Sequence, residues 1–476
     1  MRPSGLAAVV VMVLLATAAP AVNPTMVLER AVPLNLNGVP LGHLMELDRA
    51  RHARMGVVNV PVQGNSNPFA DGIYYTSVKL GNPPKEHTFL IDTGSDISWV
   101  ACEGCMGCPT KSALKNQMEL YNPDSSSTSS RASCSDDNCK AADNSGSKVC
   151  QTSDSTRSLC GYNLTYGDGT GVSGYYVSDT MYLDTIMGNQ HLANTSASVV
   201  FGCTKSFSGL AATDGILAFG QQQLSIPSQL NSLGLSPKKF SHCLKGSEEG
   251  GGIFLLGEIM SPKLVYTPLA AGPYYNLNLE GIAVNGQDLP IDSSLFATSN
   301  KQGPIVDSGT TLTYLVDGAY DGFVSAIVSA VSPSVRPFGT KRAGMGDTCF
   351  LSSSSIDLLF PTVTLYFKGG AGMTMKPGNY LLQQGAIGND IVWCIGWQST
   401  KAIQNGHGIT VLGDLALHDK IFVYDLKNMR LGWTDYNCSL FNRNTRIDVS
   451  GGSSYCSGLI AIGVAVVWLI VIQIVI

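Results

Sequence analysis

Two stretches of this chain repeat one another, and the repeat limits the fold more than any other feature. Phe89-Leu90-Ile91-Asp92-Thr93-Gly94-Ser95 and Pro304-Ile305-Val306-Asp307-Ser308-Gly309-Thr310 both read as an apolar run, an Asp, a hydroxyl, a Gly and a second hydroxyl. A carboxylate at the end of a buried strand is costly to desolvate, so a chain that places one there twice has a use for both. The approaches repeat as well. Tyr74 to Leu80 alternates as a strand, turns at Gly81-Asn82-Pro83-Pro84 and returns through His87 to Ile91; Tyr274 to Leu279 opens the second half, with a hairpin signal at Asn285-Gly286. Val316 to Val331 interrupts the strands with a helical period that puts Ala319, Tyr320, Phe323, Val324, Ile327 and Val328 on one face. The pattern predicts an all-β chain with short helices, folded as two related lobes that bring two acids together. Like charges a few ångströms apart cannot both ionise, so the pair would share a proton, one acid and one base acting on a water between them.

A length of 476 residues suits two lobes. A net charge of −5 with 14% charged residues leaves no basic stripe for nucleic acid, and a monomer is expected. Thirteen cysteines fit an oxidising compartment. Seven of them lie between Cys102 and Cys160, so if all pair, at least one bond must leave that cluster. Cys102, Cys105 and Cys108 have a spacing that a metal site could use, but no His clusters with them, and disulfides suit a secreted chain better. Asp124 to Ser158 is so rich in Ser, Asp and Asn that crosslinks, not a core, must hold it.

Both ends point to the secretory pathway. Arg2, the apolar run Leu6 to Leu15 and the small residues Ala16, Ala18, Ala19 and Ala21 read as a cleaved signal over residues 1–22. At the other end Leu459 to Ile476 is apolar apart from Gln473 and follows Ser450-Gly451-Gly452-Ser453-Ser454. Two readings fit. One is a glycosylphosphatidylinositol signal in which residues 441–454 are a polar linker carrying the attachment site and 455–476 are removed; the other is a terminal transmembrane helix. Excluding Cys456 leaves twelve cysteines, an even number, which favours the lipid anchor.

Asp-Thr-Gly-Ser followed by Asp-Ser-Gly-Thr resembles the pepsin-like aspartic proteases, and the details resemble their plant nepenthesin-type branch. The resemblance spans about residue 70 to residue 440 and implies the bilobal acid-protease fold, with two pseudo-symmetric β-barrel-like lobes at 69–265 and 266–440 and a cysteine-rich insertion at 102–160. It implies an aspartic endopeptidase that takes peptide or protein substrates and needs no cofactor or metal. The basic segment 23–68, with Arg30, His43, Arg49, Arg51, His52 and Arg54, resembles the family's propeptide; a disordered linker is the alternative. Cys349 with Cys394 resembles a family bridge.

On this resemblance Asp92 and Asp307 are the catalytic pair. Thr93 and Ser308 crosslink the two catalytic loops, Gly94 and Gly309 let a backbone N–H approach each carboxylate, and Ser95 and Thr310 hydrogen-bond the acids from outside. Leu164 to Thr170 resembles the flap that closes over substrate, with Tyr166, Gly167 and Asp168 at its tip and Trp99 supporting the tyrosine. Val411-Leu412-Gly413 and Ile216-Leu217-Ala218 match the strands that cross behind the catalytic loops, with alanine where glycine is usual in the second of these. Asp96 reads as a solvated or capping acid. Asn163, Asn194 and Asn437 head glycosylation sequons. Some plant relatives use the same scaffold as silent binding or inhibitor proteins; loss of either acid or of the flap tyrosine would favour that, and all three are present.

Overall fold

The computed structural model describes residues 57–440 apart from 65–71, 113, 115–116, 143–147, 151–157, 187–191, 210–212, 248–249, 260, 262, 300–302, 340–347 and 403–408. The signal, most of the 23–68 segment and the apolar C-terminal run lie outside the described residues. Among the described residues no helix is long and apolar enough to cross a membrane.

Alternation shapes the first strands. Val57–Gly64 buries Val58, Val60 and Val62, Tyr74–Leu80 buries every second residue from Tyr74, and Lys85–Asp92 buries His87, Phe89 and Ile91. Each apolar side chain taken fully out of water contributes roughly 1.5–3 kcal/mol, and the two-residue period leaves a single register that buries them all. These strands form the middle of a 15-stranded sheet. On one flank the order continues through Gly252–Leu256, Phe240–Leu244, Lys420–Asp425, Arg430–Asp435 and Val265–Pro268, so strands near the end of the described chain lie against a strand of its first half. On the other flank Lys85–Asp92 pairs in parallel with Gly215–Ala218, which also pairs with Trp99–Met106. Leu192–Ser208 and Gly171–Ile186 then form a long antiparallel hairpin.

Among the described residues the second lobe adds three four-stranded sheets and one sizeable helix. In the first of these sheets Val284 faces Gln287 across Asn285 and Gly286, both with positive φ, at 50° and 75°, as a tight primed turn requires. The helix, Asp317–Ala330, buries Ala319, Phe323 and Ile327. Phe323 stacks on Trp397 at 4.9 Å, so Phe323→Ala would open a cavity costing about 3–5 kcal/mol. Val328, assigned by period to the buried face, is exposed, because the stripe that meets the sheet is narrower than the apolar stripe in the sequence.

Tyr274 to Leu279 also differs from the sequence expectation. The ladder starts only at Leu279, although Tyr275, Leu277 and Leu279 keep the alternation and are buried. The hydrogen bonds of this stretch go elsewhere: Leu277 N donates to Pro304 O at 2.9 Å, and the Tyr275 hydroxyl donates to Phe219 O at 2.7 Å in the first lobe. The stretch therefore ties the strand before Asp307 to the first lobe instead of extending a sheet.

Twelve cysteines form six disulfides. Cys102–Cys203 is the bond that leaves the crowded cluster; Cys105–Cys108, Cys134–Cys150 and Cys139–Cys160 stay inside it. The sulfurs of Cys134, Cys139 and Cys150 lie close together, and all three are committed to these bonds. Cys243–Cys438 ties the end of the described chain to its first half, and Cys349–Cys394 joins neighbouring strands of the second lobe.

Candidate active site

Each acid ends a strand whose partner runs parallel behind it. Ala218 lies opposite Asp92, and Ile305–Val306 pairs with Val411–Leu412 just before Asp307. The two turns then meet. The Gly94 N–H donates to Asp92 Oδ1 and the Gly309 N–H to Asp307 Oδ1, both at 2.8 Å. The outer oxygens accept the hydroxyls: Ser95 on Asp92 Oδ2, and Thr310 on Asp307 Oδ2 at 2.6 Å. Beneath them Thr93 and Ser308 cross over. The Ser308 N–H donates to Thr93 Oγ1 at 2.9 Å and the Thr93 N–H to Ser308 Oγ at 3.2 Å, while the two hydroxyls donate to Val306 O and Ile91 O.

The glycines have a further reason that only the assembled site reveals. A Cβ on Gly94 would fall 2.6 Å from the Asp307 carboxyl carbon, and one on Gly309 would fall 2.4 Å from Asp92 Oδ1. Neither glycine has a positive φ; each is small because the opposite lobe's acid occupies the space. Burial first, and the adjoining Asp307 second, push the Asp92 carboxyl well above the ordinary carboxylate range, against the hydrogen bonds from Ser95 and Gly94. The pair is thus built to hold one proton in common.

Over this pair stands a hairpin of Gly161–Thr165 and Gly171–Ile186. Its tip is closed by Tyr166 N donating to Thr170 O and by Asp168, whose two oxygens accept the Thr170 N–H and hydroxyl at 2.8 Å each. Gly167 has open space where a Cβ would go. Trp99, itself buried, donates its indole N–H to the Tyr166 hydroxyl at 2.7 Å. Burial and then the Asp92 charge push the Tyr166 phenol upward, so it stays neutral as it reaches from the hairpin toward the acids.

Residues 74–258 match the family described as "Xylanase inhibitor N-terminal", and residues 274–435 match "Xylanase inhibitor C-terminal". The chain is 37% identical over 426 residues to "Aspartic proteinase 36" of Arabidopsis thaliana, covering 88% of this chain and 84% of that protein. It is 28% identical over 383 residues to "Aspartic proteinase nepenthesin-1" of Nepenthes gracilis, covering 77% and 78%. The chain belongs to the plant pepsin-like aspartic proteinase family. Among solved structures, basic 7S globulin from soybean is similar with a TM-score of 0.62 at 20% identity, covering 82% of this chain and 100% of that one. Conglutin gamma from lupine seeds has a TM-score of 0.63 at 21% identity, covering 82% and 100%. At such identity these two speak for the bilobal, mainly β fold.

Within this site several residues carry more than the sequence disclosed. Asp96 is a cap: its Oδ1 accepts the Gln222 N–H at 2.9 Å, and burial raises its carboxyl to about 6. Gln221 beside it donates its side-chain amide to the carbonyl of Tyr274, joining the lobes at the mouth of the site. Asp414, which follows the crossing strand, is 3% exposed, and its Oδ1 has no hydrogen-bond partner. Burial, then Asp307 and Asp92, push it well above the ordinary range, so it sits as a neutral acid beneath the pair. Its position after a strand and a glycine was the available signal. Tyr424, fully buried under Thr93, gave none, because in the sequence it is one aromatic in a strand.

Of the sequons, Asn163 is exposed on the outer strand of the hairpin and Asn437 is exposed with its Oδ1 accepting the Ser439 N–H at 3.0 Å. The Asn194 side chain lies outside the described residues.

Proposed function

We propose that this chain is an aspartic endopeptidase, made as a secreted zymogen and tethered to the outer face of the plasma membrane. One observation carries the catalytic part: two carboxyls from different lobes, each wedged against the other lobe's glycine and each furnished with one N–H and one hydroxyl donor. A water between them would lose a proton to one carboxylate while the other protonates the scissile carbonyl oxygen, giving a gem-diol without a covalent adduct. The Tyr166 phenol, neutral and aimed at the acids, would close over the bound peptide. The relatives named as aspartic proteinases support the same reading.

A second reading, a binding or inhibitor protein on the same scaffold, draws on the xylanase-inhibitor name that the matching family carries. A peptide-library digest with acid-activated protein, with and without a statine inhibitor, separates the two. Cleavage with an optimum between about pH 3 and 6 that the inhibitor abolishes is expected; statine binding without any cleavage would favour the binding protein.

The zymogen and the anchor are proposals of the same rank. Val57–Gly64 falls inside the segment assigned to a propeptide, yet it is a buried strand between Gly252–Leu256 and Tyr74–Leu80. Losing it would expose an open sheet edge, so we place the activating cut ahead of Val57. N-terminal sequencing after acid incubation checks this, and a mature chain starting after Gly64 would refute it. For the anchor, phosphatidylinositol-specific phospholipase C is expected to release a form lacking residues 455–476; retention with the Leu459–Ile476 peptide recovered by mass spectrometry would establish a transmembrane helix.

A further inference from the structure

The spacing of the two acids depends on what crosses between the lobes, and the crossing bonds can be followed one by one. On the first-lobe side the Phe219 N–H donates to the main-chain carbonyl of Asp92 at 2.7 Å. The Phe219 carbonyl in turn accepts the Tyr275 phenol of the second lobe, also at 2.7 Å. Tyr275 passes the connection along its own main chain, since its carbonyl accepts the Val306 N–H at 3.3 Å. Val306 immediately precedes Asp307, and its carbonyl accepts the hydroxyl of Thr93, the residue after Asp92, at 3.4 Å. These bonds close a ring through both acid-bearing turns, and two of its links cross between the lobes: the Thr93 hydroxyl and the Tyr275 phenol. Phe219, Tyr275 and Val306 are all 0% exposed. The Tyr275 ring meets Tyr424 edge-on at 4.7 Å and Phe240 at 5.9 Å. A phenol in so apolar a layer is expensive unless its bond is used, and a buried main-chain carbonyl is as costly to strand. A further bond crosses close by, where the Gln221 side-chain amide donates to the carbonyl of Tyr274.

We propose that Tyr275 is a positioning residue for the acid pair: its hydroxyl, bonded to the Phe219 carbonyl, holds the turn of Asp92 at a fixed distance from the strand that leads to Asp307. This inference rests on the endopeptidase reading for its kinetic part only. The Thr93–Ser308 crossing fixes the two turns at one point, and a second crossing stops them pivoting about it. Burial pushes the Tyr275 phenol well above its ordinary range, so it remains a donor throughout acidic conditions. Without the hydroxyl the ring opens at Phe219 and the turns can part. Like-charged carboxyls that part repel less, so the doubly ionised form is reached more easily and the second ionisation of the pair falls to lower pH. Asp96 and Tyr424 are the ionisable groups beside the phenol, and Asp414, Tyr166 and Tyr274 face the acids. All of them stay in place when the hydroxyl alone is removed, so a shift in that ionisation reports the spacing.

The test compares two substitutions in the purified, activated protein. Tyr275→Phe removes the hydroxyl and keeps the ring. Tyr380→Phe is the matched control, because Tyr380 is also 0% exposed and its phenol donates to Pro361 O at 2.7 Å, within the second lobe. Each variant loses one buried phenol-to-carbonyl bond, so both should melt lower by similar amounts. Tyr275→Phe is expected to lower kcat roughly tenfold with KM within about twofold of wild type, and to move the alkaline limb of kcat/KM to lower pH by roughly half a unit. A shift of that size is what about 1 Å of added separation removes from the repulsion at an effective dielectric of about 20. Tyr380→Phe should change neither quantity. A Tyr275→Phe kcat within about twofold of wild type, an unmoved alkaline limb, or the same kinetic losses in Tyr380→Phe would overturn the proposal. A second measurement needs no substrate. Carbon NMR titration of aspartate-labelled protein reads the two ionisations of the pair, which should draw together in Tyr275→Phe and stay as far apart as in wild type in Tyr380→Phe. Ionisations equally separated in Tyr275→Phe and wild type would overturn the positioning role even in a fully active enzyme. Conversely, a wild type that cleaves nothing, with ionisations that draw together in Tyr275→Phe alone, would sink the endopeptidase reading and leave the role of Tyr275 standing.

Discussion

The two acid-bearing turns are alike where they touch the acids and different one step further out. Asp92 and Asp307 receive the same pair of donors, a glycine N–H and a hydroxyl three residues on. Behind them the lobes part. Gly413 follows the second crossing strand, where a Cβ would meet Leu312 O at 2.1 Å and Thr310 O at 2.3 Å. Its counterpart is Ala218, buried without conflict, its N–H taken by Ser98 Oγ at 2.9 Å. In the first lobe the close approach comes two residues later, at Gly220, where a Cβ would lie 2.6 Å from Ser95 O. The bond that goes with it moves too: Gly220 N donates to Ser95 O at 2.8 Å as Asp414 N donates to Thr310 O at 2.7 Å. The alanine is therefore a relocated glycine requirement rather than a defect. Beyond that shell the first lobe carries the Trp99–Tyr166 bond and Asp96; the position of Asp96 is taken in the second lobe by Thr311, whose hydroxyl donates to Gly72 O at 2.8 Å. Chemistry that uses both acids as one unit holds their contacts symmetric, and the outer layers are free to diverge.

Substitution at the acids themselves should break the symmetry most severely. Asp92→Asn and Asp307→Asn are both expected to lower peptide hydrolysis by about a thousandfold or more with the fold intact, and by similar factors because the pair acts together. A large residual rate in only one of them would show that the acids are not equivalent partners. Next comes the crossing strand. Gly413→Ala should cost about 2–3 kcal/mol in thermal or denaturant unfolding, since backbone carbonyls cannot step aside. Ala218→Gly should cost only about 1 kcal/mol, mainly in unfolded-chain entropy. Equal costs would mean the requirement had not moved.

The Trp99–Tyr166 bond of the first-lobe hairpin comes third. Trp99→Phe keeps the ring but drops the bond to Tyr166, and roughly a tenfold loss in kcat/KM is expected from steady-state kinetics. The smallest effect is the dependence of stability on pH at Asp96. Its folded carboxyl, at about 6, lies above the ordinary 3.8, so its contribution to stability is complete below 3.8 and is lost as pH rises through about 6. Asp96→Asn keeps the acceptor for Gln222, so it should match wild type below that window and melt higher than wild type above it. Melting curves across the range check this, and a difference that shrinks with rising pH would reverse the sign.

Much of this could be read without coordinates, for a local reason. The strand, acid, hydroxyl and glycine pattern, the alternation of Tyr74–Leu80, the helix near residues 317–330 and the Asn285-Gly286 turn are each written in consecutive residues, because backbone geometry repeats every two or every 3.6 positions. Cysteine parity was likewise countable, requiring a bond out of the cluster without naming Cys203. What the tertiary structure decided is contact between residues far apart in sequence. Gly94 is small because of Asp307, Tyr274 to Leu279 leaves the ladder because its bonds go to Pro304 and Phe219, and Val57–Gly64 is core because Gly252–Leu256 lies beside it. His242 and Tyr424 are 182 positions apart and meet only through the pairing of their strands. No periodicity reaches that far, since the entropy of closing such loops is offset by the whole sheet and not by any pattern within one segment.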